Sequence, residues 1–415
     1  MRKEDLISDI LYLAMAAIVL LVGFLVIQPA INDGLLGRDM GQNVLFILIA
    51  LIIGIIINVA LMEIGHLIGA KIGGYKILST NILGFNFYRV FDKNSAKSQL
   101  KFRFKSFNGL SGETIIEPKK ESSNPFFYIF TPLILFLLEF VAMYFVISLA
   151  PQNSETFFEG IQIVKYGLII STTIAGCIVL YDYFPTKLDT LNDGYRLISL
   201  SKKINIIAYN EKLKNDANEY KGIKNTEYKI FDEITDFTAK VNLDAAINEF
   251  LDGKNEESLA IIGKCLSDAS KISHSTKTTL LLDKIYITYL TKGSEEGTKL
   301  FKELDQETNE YVKKCKDLES IRVYALYIGL NEKSQSEVKY AITKAKKEYE
   351  RLTIGEVEKE KKLLLKVIYV LMDFDVNLID DTIIKYVCDA NVESEDYKDA
   401  LKYFIDKGGK ISEKK

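Results

Sequence analysis

The chain has no tryptophan, two histidines (His66 and His274), four cysteines and six prolines in 415 residues. Two histidines rule out a metal site built from a histidine cluster. The cysteines, Cys177, Cys265, Cys315 and Cys388, are far apart and form no C-x-x-C pair, which excludes a disulfide-stapled secreted scaffold. A net charge of −3 lacks the basic excess that nucleic acid demands. There is no G-x-x-x-x-G-K-[ST] loop, and Gly73-Gly74 is a lone glycine pair, so nucleotide chemistry is not expected. No proline follows Pro185, which leaves the last 230 residues without a helix breaker of that kind.

What the chain does have is apolar length. Four runs match a bilayer: approximately Leu11–Ile31, Val44–Ala70, Phe126–Leu149 and Gly160–Phe184. The first follows Arg2 and Lys3 without a small-residue cleavage site and reads as an anchor. The segment between the second and third runs carries Lys76, Arg89, Lys93, Lys97, Lys101, Arg103, Lys105, Lys119 and Lys120. The other short connections are poor in basic residues, so the positive-inside rule predicts a cell-membrane, multi-pass chain with that segment and both termini cytoplasmic.

Three domains are expected: an N-terminal transmembrane anchor over 1–43, a membrane core over 44–200 and a soluble helical domain over 201–415. Within the core, a small cytoplasmic β region near 75–118 is predicted from the alternation in Tyr75–Val90, Lys101–Lys105 and Thr114–Ile116. Its basic, aromatic strands also suit anionic lipid headgroups. Beyond about Lys202, amphipathic helical periodicity dominates, with breaks at Gly253, Gly293 and Asn331. The stretch AINEFLDGKNEESLAIIGKCL resembles one tetratricopeptide helix–turn–helix; an irregular helical bundle is the alternative. The fold class is therefore an α-helical integral membrane protein with an all-α, tetratricopeptide-like C-terminal domain.

The second apolar run ends in Met62-Glu-Ile-Gly-His66, which is H-E-x-x-H with methionine in the first histidine's place. Residues three and four apart share a helix face, so Met62, Glu63 and His66 project together. An ionisable pair inside a span points to function. The fourth run leads into Pro185-Thr-Lys-Leu-Asp-Thr-Leu-Asn-Asp-Gly194, and alternation of span direction brings Asp193 to the membrane face of Glu63 and His66.

These elements resemble the site-2 protease family of intramembrane zinc metalloproteases. The counterparts are Met62–His66, Gly73-Gly-Tyr-Lys76 leading into strands, Thr131-Pro-Leu133, and Pro185 with Asp193-Gly194, covering roughly residues 44 to 200. The resemblance implies a site-2-protease-like core of about four transmembrane helices, Glu63 as general base, and His66 and Asp193 as zinc ligands. It departs at Met62, since a thioether is a poor zinc ligand, at Thr131 in place of glycine, and at Asp182 where asparagine is common.

Three readings of the motif follow. The first is zinc-dependent proteolysis at a rearranged site, helped by Asp189 or Asp182. The second is a pseudoprotease that binds a membrane-embedded or membrane-proximal peptide without cutting it. The third is a polar helix end with no site at all. An alternative of another class is a membrane-anchored adaptor whose helical C-terminal domain recruits a protein partner. Glu139 faces either the same cavity or Lys165, and Lys165 reads as a snorkelling anchor. His274 reads as a surface turn residue and Cys177 as a packing residue. The Lys-, Ile- and Asn-rich usage points to a low-GC bacterium.

Overall fold

The computed structural model describes residues 3–32, 40–91, 98–104, 113–149, 159–185, 191–223, 227–350, 352, 354–388 and 394–411. The chain divides into two compact units, Met1–Ala217 and Asn218–Lys415.

In the first unit, α1 (Lys3–Val22) runs through a π turn at Gly23–Ile27 into α2 (Gln28–Asn32). The remaining long helices are α3 (Met40–Ile72), α4 (Pro125–Leu149) and α5 (Glu159–Tyr183), followed by α6 (Asp193–Ser199) and α7 (Lys203–Lys221). Among the described residues, four helical stretches are long and apolar enough to cross a membrane: Asp9–Ile31, Met40–Ile72, Pro125–Leu149 and Ile163–Tyr183. Their large apolar residues, such as Leu13, Leu20, Leu51, Ile52, Leu138 and Leu149, are exposed, the pattern expected of helices that meet lipid. The residues that α3 buries are small or polar, among them Gly54, Asn58, Glu63, Gly65, His66 and Gly69.

That inversion follows from how helices pack without a hydrophobic drive between them. Gly65 and Gly69 lie one turn apart on α3 against α4. A Cβ on Gly65 would stand 2.5 Å from Pro132 Cα, and one on Gly69 would stand 2.1 Å from the Phe127 carbonyl oxygen. Both glycines let the two backbones touch.

Between α3 and α4 lies a four-stranded antiparallel sheet, ordered β3-β2-β1-β4. Its strands are β1 (Tyr75–Ile82), β2 (Phe85–Phe91), β3 (Ser98–Phe104) and β4 (Glu113–Pro118). The Gly73-Gly74 pair makes the turn from α3 into β1. Gly74 has φ +85°, and a Cβ on Gly73 would meet the Asn124 carbonyl oxygen at 2.5 Å. The turn sends β1 back along α3, and Thr114 on β4 donates to Glu63 Oε2 at 3.3 Å, nine residues before the end of that helix. The sheet therefore reaches back to the level of Glu63.

Alternation sorts the β2–β3 hairpin into two faces. Phe85 pairs with Phe104 and Phe87 with Phe102, all exposed and in ring contact. On the other face Lys101 lies opposite Tyr88, and the Arg103 guanidinium sits 4.8 Å from the Tyr88 ring centroid.

At the other end of β1, the buried Tyr75 hydroxyl donates to Asn210 Oδ1 at 2.7 Å, and Asn210 Nδ2 donates to the Ser123 carbonyl at 2.7 Å. These bonds hold α7 to the sheet. Burial, with Tyr209 close by, pushes the Tyr75 phenol well above its ordinary value.

Every described element of the second unit is helical. They are α8 (Asp236–Leu251), α9 (Asn255–Ser267), α10 (His274–Lys292), α11 (Ser294–Lys302), α12 (Gln306–Lys313), α13 (Leu318–Tyr327), α14 (Gln335–Thr343), α15 (Ala345–Tyr349), α16 (Ile354–Phe374), α17 (Asp381–Val387) and α18 (Glu395–Asp406), with short 3₁₀ and π turns between some of them. The tetratricopeptide-like stretch forms the pair α8 and α9 around Gly253, at φ +85°. Gly293, at φ +95°, separates α10 from α11, and Asn331 lies in the π turn that ends α13. His274 opens α10 behind its cap Ser273, so it is a helix residue rather than a turn residue.

The second unit's core carries a buried charge cluster. Arg322 on α13 is 1% exposed and donates to Asp283 on α10 at 2.8 Å and to Glu360 on α16. Its guanidinium also lies 5.1 Å from the Tyr286 ring centroid. Burial pushes Asp283 up to about 6 and Glu319 up to about 8, with Arg322 pulling both down.

Candidate functional site

Four of the residues singled out by sequence lie together where α3, α4 and α6 meet. Glu63 and His66 are buried on one face of α3, and Asp193 is buried at the first turn of α6. The fourth, Asp182, lies near the end of α5 within the electrostatic reach of Asp193, Arg196 and His66.

Proline chemistry sets the orientation of His66. An α-helix bonds each carbonyl to the N–H four residues on, and Pro132 has no N–H to offer Tyr128. The freed Tyr128 carbonyl is taken by His66 Nδ1 at 2.9 Å. A carbonyl only accepts, so Nδ1 carries the hydrogen and Nε2 is turned the other way, towards Asp193. The rings of His66 and Tyr128 are also in contact, 4.8 Å between centroids and tilted by 35°.

A second proline places Asp193 in the same manner. Pro185 cannot serve the Tyr181 carbonyl, and Asn192 Nδ2 donates to it at 3.0 Å and to the Phe184 carbonyl at 2.5 Å. Asn192 Oδ1 in turn caps α6 by accepting from Tyr195 N at 3.0 Å. Gly194 completes the joint, because a Cβ there would lie 2.1 Å from the Tyr183 carbonyl oxygen. Tyr183 ties the end of α5 to α4 by donating to the Ile129 carbonyl at 2.8 Å.

His66 Nε2 then faces Asp193 Oδ2 at 3.9 Å, and Asp193 Oδ1 accepts from Arg196 at 3.2 Å. Tyr209 on α7 lies in the same field. Burial pushes its phenol up to about 12, with Arg196 opposing and Asp193 adding to the rise. No family model, curated protein or solved structure matches this chain.

The fit to zinc turns on the donor set. Catalytic zinc takes three protein ligands and leaves one position open. His66 Nε2 is correctly presented, with its other nitrogen held by a carbonyl as metal-binding histidines are. The rest does not fit. One oxygen of Asp193 is engaged by a guanidinium, and among the described residues no three His, Cys, Asp or Glu side chains converge to hold a metal. Met62, half-buried one turn before His66, supplies a thioether where the motif needs an imidazole.

Glu139 is not part of this group. Its partner is Ser171 on α5, while Lys165 lies over the Tyr166 ring at 5.6 Å. Asp189 lies outside the described residues. Sequence reasoning missed Arg196, Tyr128, Asn192 and Thr114. Two of these had a readable signal: Tyr128 stands four residues before Pro132, and Arg196 stands one helical turn after Asp193.

Proposed function

We propose that this chain is a site-2-protease-like membrane protein that binds a membrane-embedded or membrane-proximal peptide and does not hydrolyse it: a pseudoprotease. One observation carries the reading. The carboxylate that the resemblance assigns to zinc is ion-paired to Arg196 instead, so a guanidinium supplies the positive charge that a metal would have supplied. The site stays electrostatically satisfied and preorganised without a third ligand.

Peptide binding follows from the sheet. β4 pairs only with β1 among the described residues, so its other side is an edge that an extended segment extends by main-chain hydrogen bonds. The Thr114–Glu63 contact places that edge beside the polar group on α3. A helix must unwind before its amides can bond in this way, and the polar surroundings of Glu63, His66 and Asp193 offer a setting for that. In this reading the sheet and both termini lie on the cytoplasmic side, as the basic residues between α3 and α4 require.

The test is metal content and cleavage on the detergent-purified full chain. Wild type is expected to lack stoichiometric zinc and to leave a fluorogenic transmembrane peptide intact, while a photo-crosslinker at Ile115 captures that peptide. Met62→His combined with Arg196→Gln is expected to gain zinc that His66→Ala removes. Cleavage by wild type that is lost on chelation and in Glu63→Ala overturns the pseudoprotease reading.

A further inference from the structure

Half-way along the membrane-length helices, away from the site above, three polar residues from three helices meet. Asn58 on α3 is fully buried, Glu139 on α4 is 9% exposed and Ser171 on α5 is 4% exposed. Glu139 lies 14 residues from Pro125 and 10 from Leu149, roughly 20 and 15 Å along the helix. Ser171 is the central residue of α5. Water and headgroups are distant from all three.

Every donor in this group is already used. Asn58 Nδ2 donates to the Gly54 carbonyl at 2.8 Å, to the Ser171 carbonyl at 3.0 Å and towards Ser171 Oγ at 3.1 Å. Ser171 Oγ gives its hydrogen to Glu139 Oε1 at 2.5 Å. Two acceptors remain with no partner, Asn58 Oδ1 and Glu139 Oε2, and both are buried. The approach that assembles the group depends on Gly54, where a Cβ would stand 2.8 Å from Ile174 Cδ1 and 3.3 Å from Ser171 Cα. The packing is therefore close at this polar point rather than loose.

An arrangement with unspent oxygen lone pairs and no unspent hydrogen calls for a donor or a cation, and the carboxylate among them favours one that carries positive charge. The charged or titratable side chains described on the same helices are Glu63, His66 and Lys71 on α3, Tyr128 and Tyr144 on α4, and Lys165, Tyr166, Cys177, Tyr181, Asp182 and Tyr183 on α5. None of them hydrogen-bonds or ion-pairs with Glu139 among the described residues. A carboxylate left bare at this depth is strongly disfavoured. We propose that Glu139, Asn58 and Ser171 form a buried site for one small monovalent cation, a sodium ion or a proton. A carboxylate, an amide carbonyl and a hydroxyl are the hard oxygen ligands that sodium takes. A proton on Glu139 serves the same purpose by turning one acceptor into a donor. By joining α3, α4 and α5, the cation would clamp the three helices that position His66 and Asp193.

The experiment is thermal unfolding of the full chain in nanodiscs, in sodium chloride and in choline chloride of equal ionic strength, across acidic to mildly alkaline pH. For sodium, the wild-type midpoint is expected to rise by several degrees with sodium at alkaline pH, the rise fading in acid. For a proton, the midpoint depends on pH and not on sodium. In both cases Glu139→Gln removes the sodium response or, for a proton, the part of the pH response that Asp283 and Glu319 of the second unit do not carry, and Asn58→Leu weakens it. The infrared difference between wild type and Glu139→Gln gives an independent reading: a protonated-carboxyl stretch that sodium removes, or that persists in sodium for a proton site. A Glu139→Gln chain that responds as wild type does overturns the proposal. If the Glu139 and Asn58 variants do not fold, a wild type whose midpoint ignores sodium and whose only protonated-carboxyl bands are those lost in Glu319→Gln and Asp283→Asn overturns it equally.

Discussion

His66 holds the Tyr128 carbonyl at 2.9 Å because Pro132, four residues on, cannot. The freed acceptor lies opposite the one histidine in the spans, and the bond fixes which ring nitrogen is offered to Asp193. Replacing Pro132 with alanine returns an N–H to α4 and sets it in competition for that carbonyl. The expected outcome is a mixed tautomer at His66, since the competing bond is worth about 1 kcal/mol. Imidazole nitrogen chemical shifts of the labelled chain in detergent check this, and an unchanged tautomer would count against it.

The α3–α4 contact leaves no room for side chains at two glycines. Gly69→Ala drives a methyl against the Phe127 carbonyl, and Gly65→Ala drives one against the Pro132 backbone. Each is expected to destabilise the unit by about 1–3 kcal/mol, with a lowered thermal midpoint. Gly167→Ala is the control, since nothing lies within 4 Å of a Cβ there.

Arg322 balances the core of the second unit. Arg322→Leu leaves Asp283, Glu319 and Glu360 without their guanidinium, so the expected loss is about 3–5 kcal/mol in denaturant unfolding. Replacing Arg322 and Asp283 together with leucines is expected to cost less than the sum of the single changes, because the charges are removed as a pair.

The same cluster sets a pH dependence. Burial raises Glu319 to about 8 and Asp283 to about 6, so the folded unit holds protons that the unfolded chain has released. Their stabilising contribution is complete below the ordinary carboxylate range and is lost as pH rises through about 6 and then about 8. Glu319→Gln carries no charge at any pH. It is expected to be more stable than wild type near pH 8 and close to it near pH 4. Chemical denaturation across that range reads the difference; a wild-type chain gaining stability towards pH 8 from this cluster would contradict the sign.

The Asp193–Arg196 pair is partly open to solvent, with Arg196 36% exposed, and its electrostatic worth is modest. Arg196→Gln is expected to change stability by less than about 1 kcal/mol while weakening peptide capture at β4. Crosslinking yield at Ile115 measured beside the thermal midpoint separates the two effects.

The sequence by itself determined the elements whose cause is local. Apolar length marked four helices long enough to cross a membrane, alternation marked the strands, and the glycines at 253 and 293 marked helix breaks, because hydropathy, β-periodicity and left-handed backbone are written residue by residue. Glu63, His66 and Asp193 were also legible as candidates, since ionisable residues stand out against apolar runs. What only the tertiary structure decided were relationships across the chain. Glu139 turned to Ser171 and Asn58 rather than to the His66 group, because helix rotation within a bundle is set by glycine contacts and not by span length. Asp193 acquired Arg196 as its counter-charge, and His66 acquired a fixed tautomer from a carbonyl on another helix. A proline in a sequence announces a missing hydrogen; which side chain takes the acceptor it frees depends on what packs beside it.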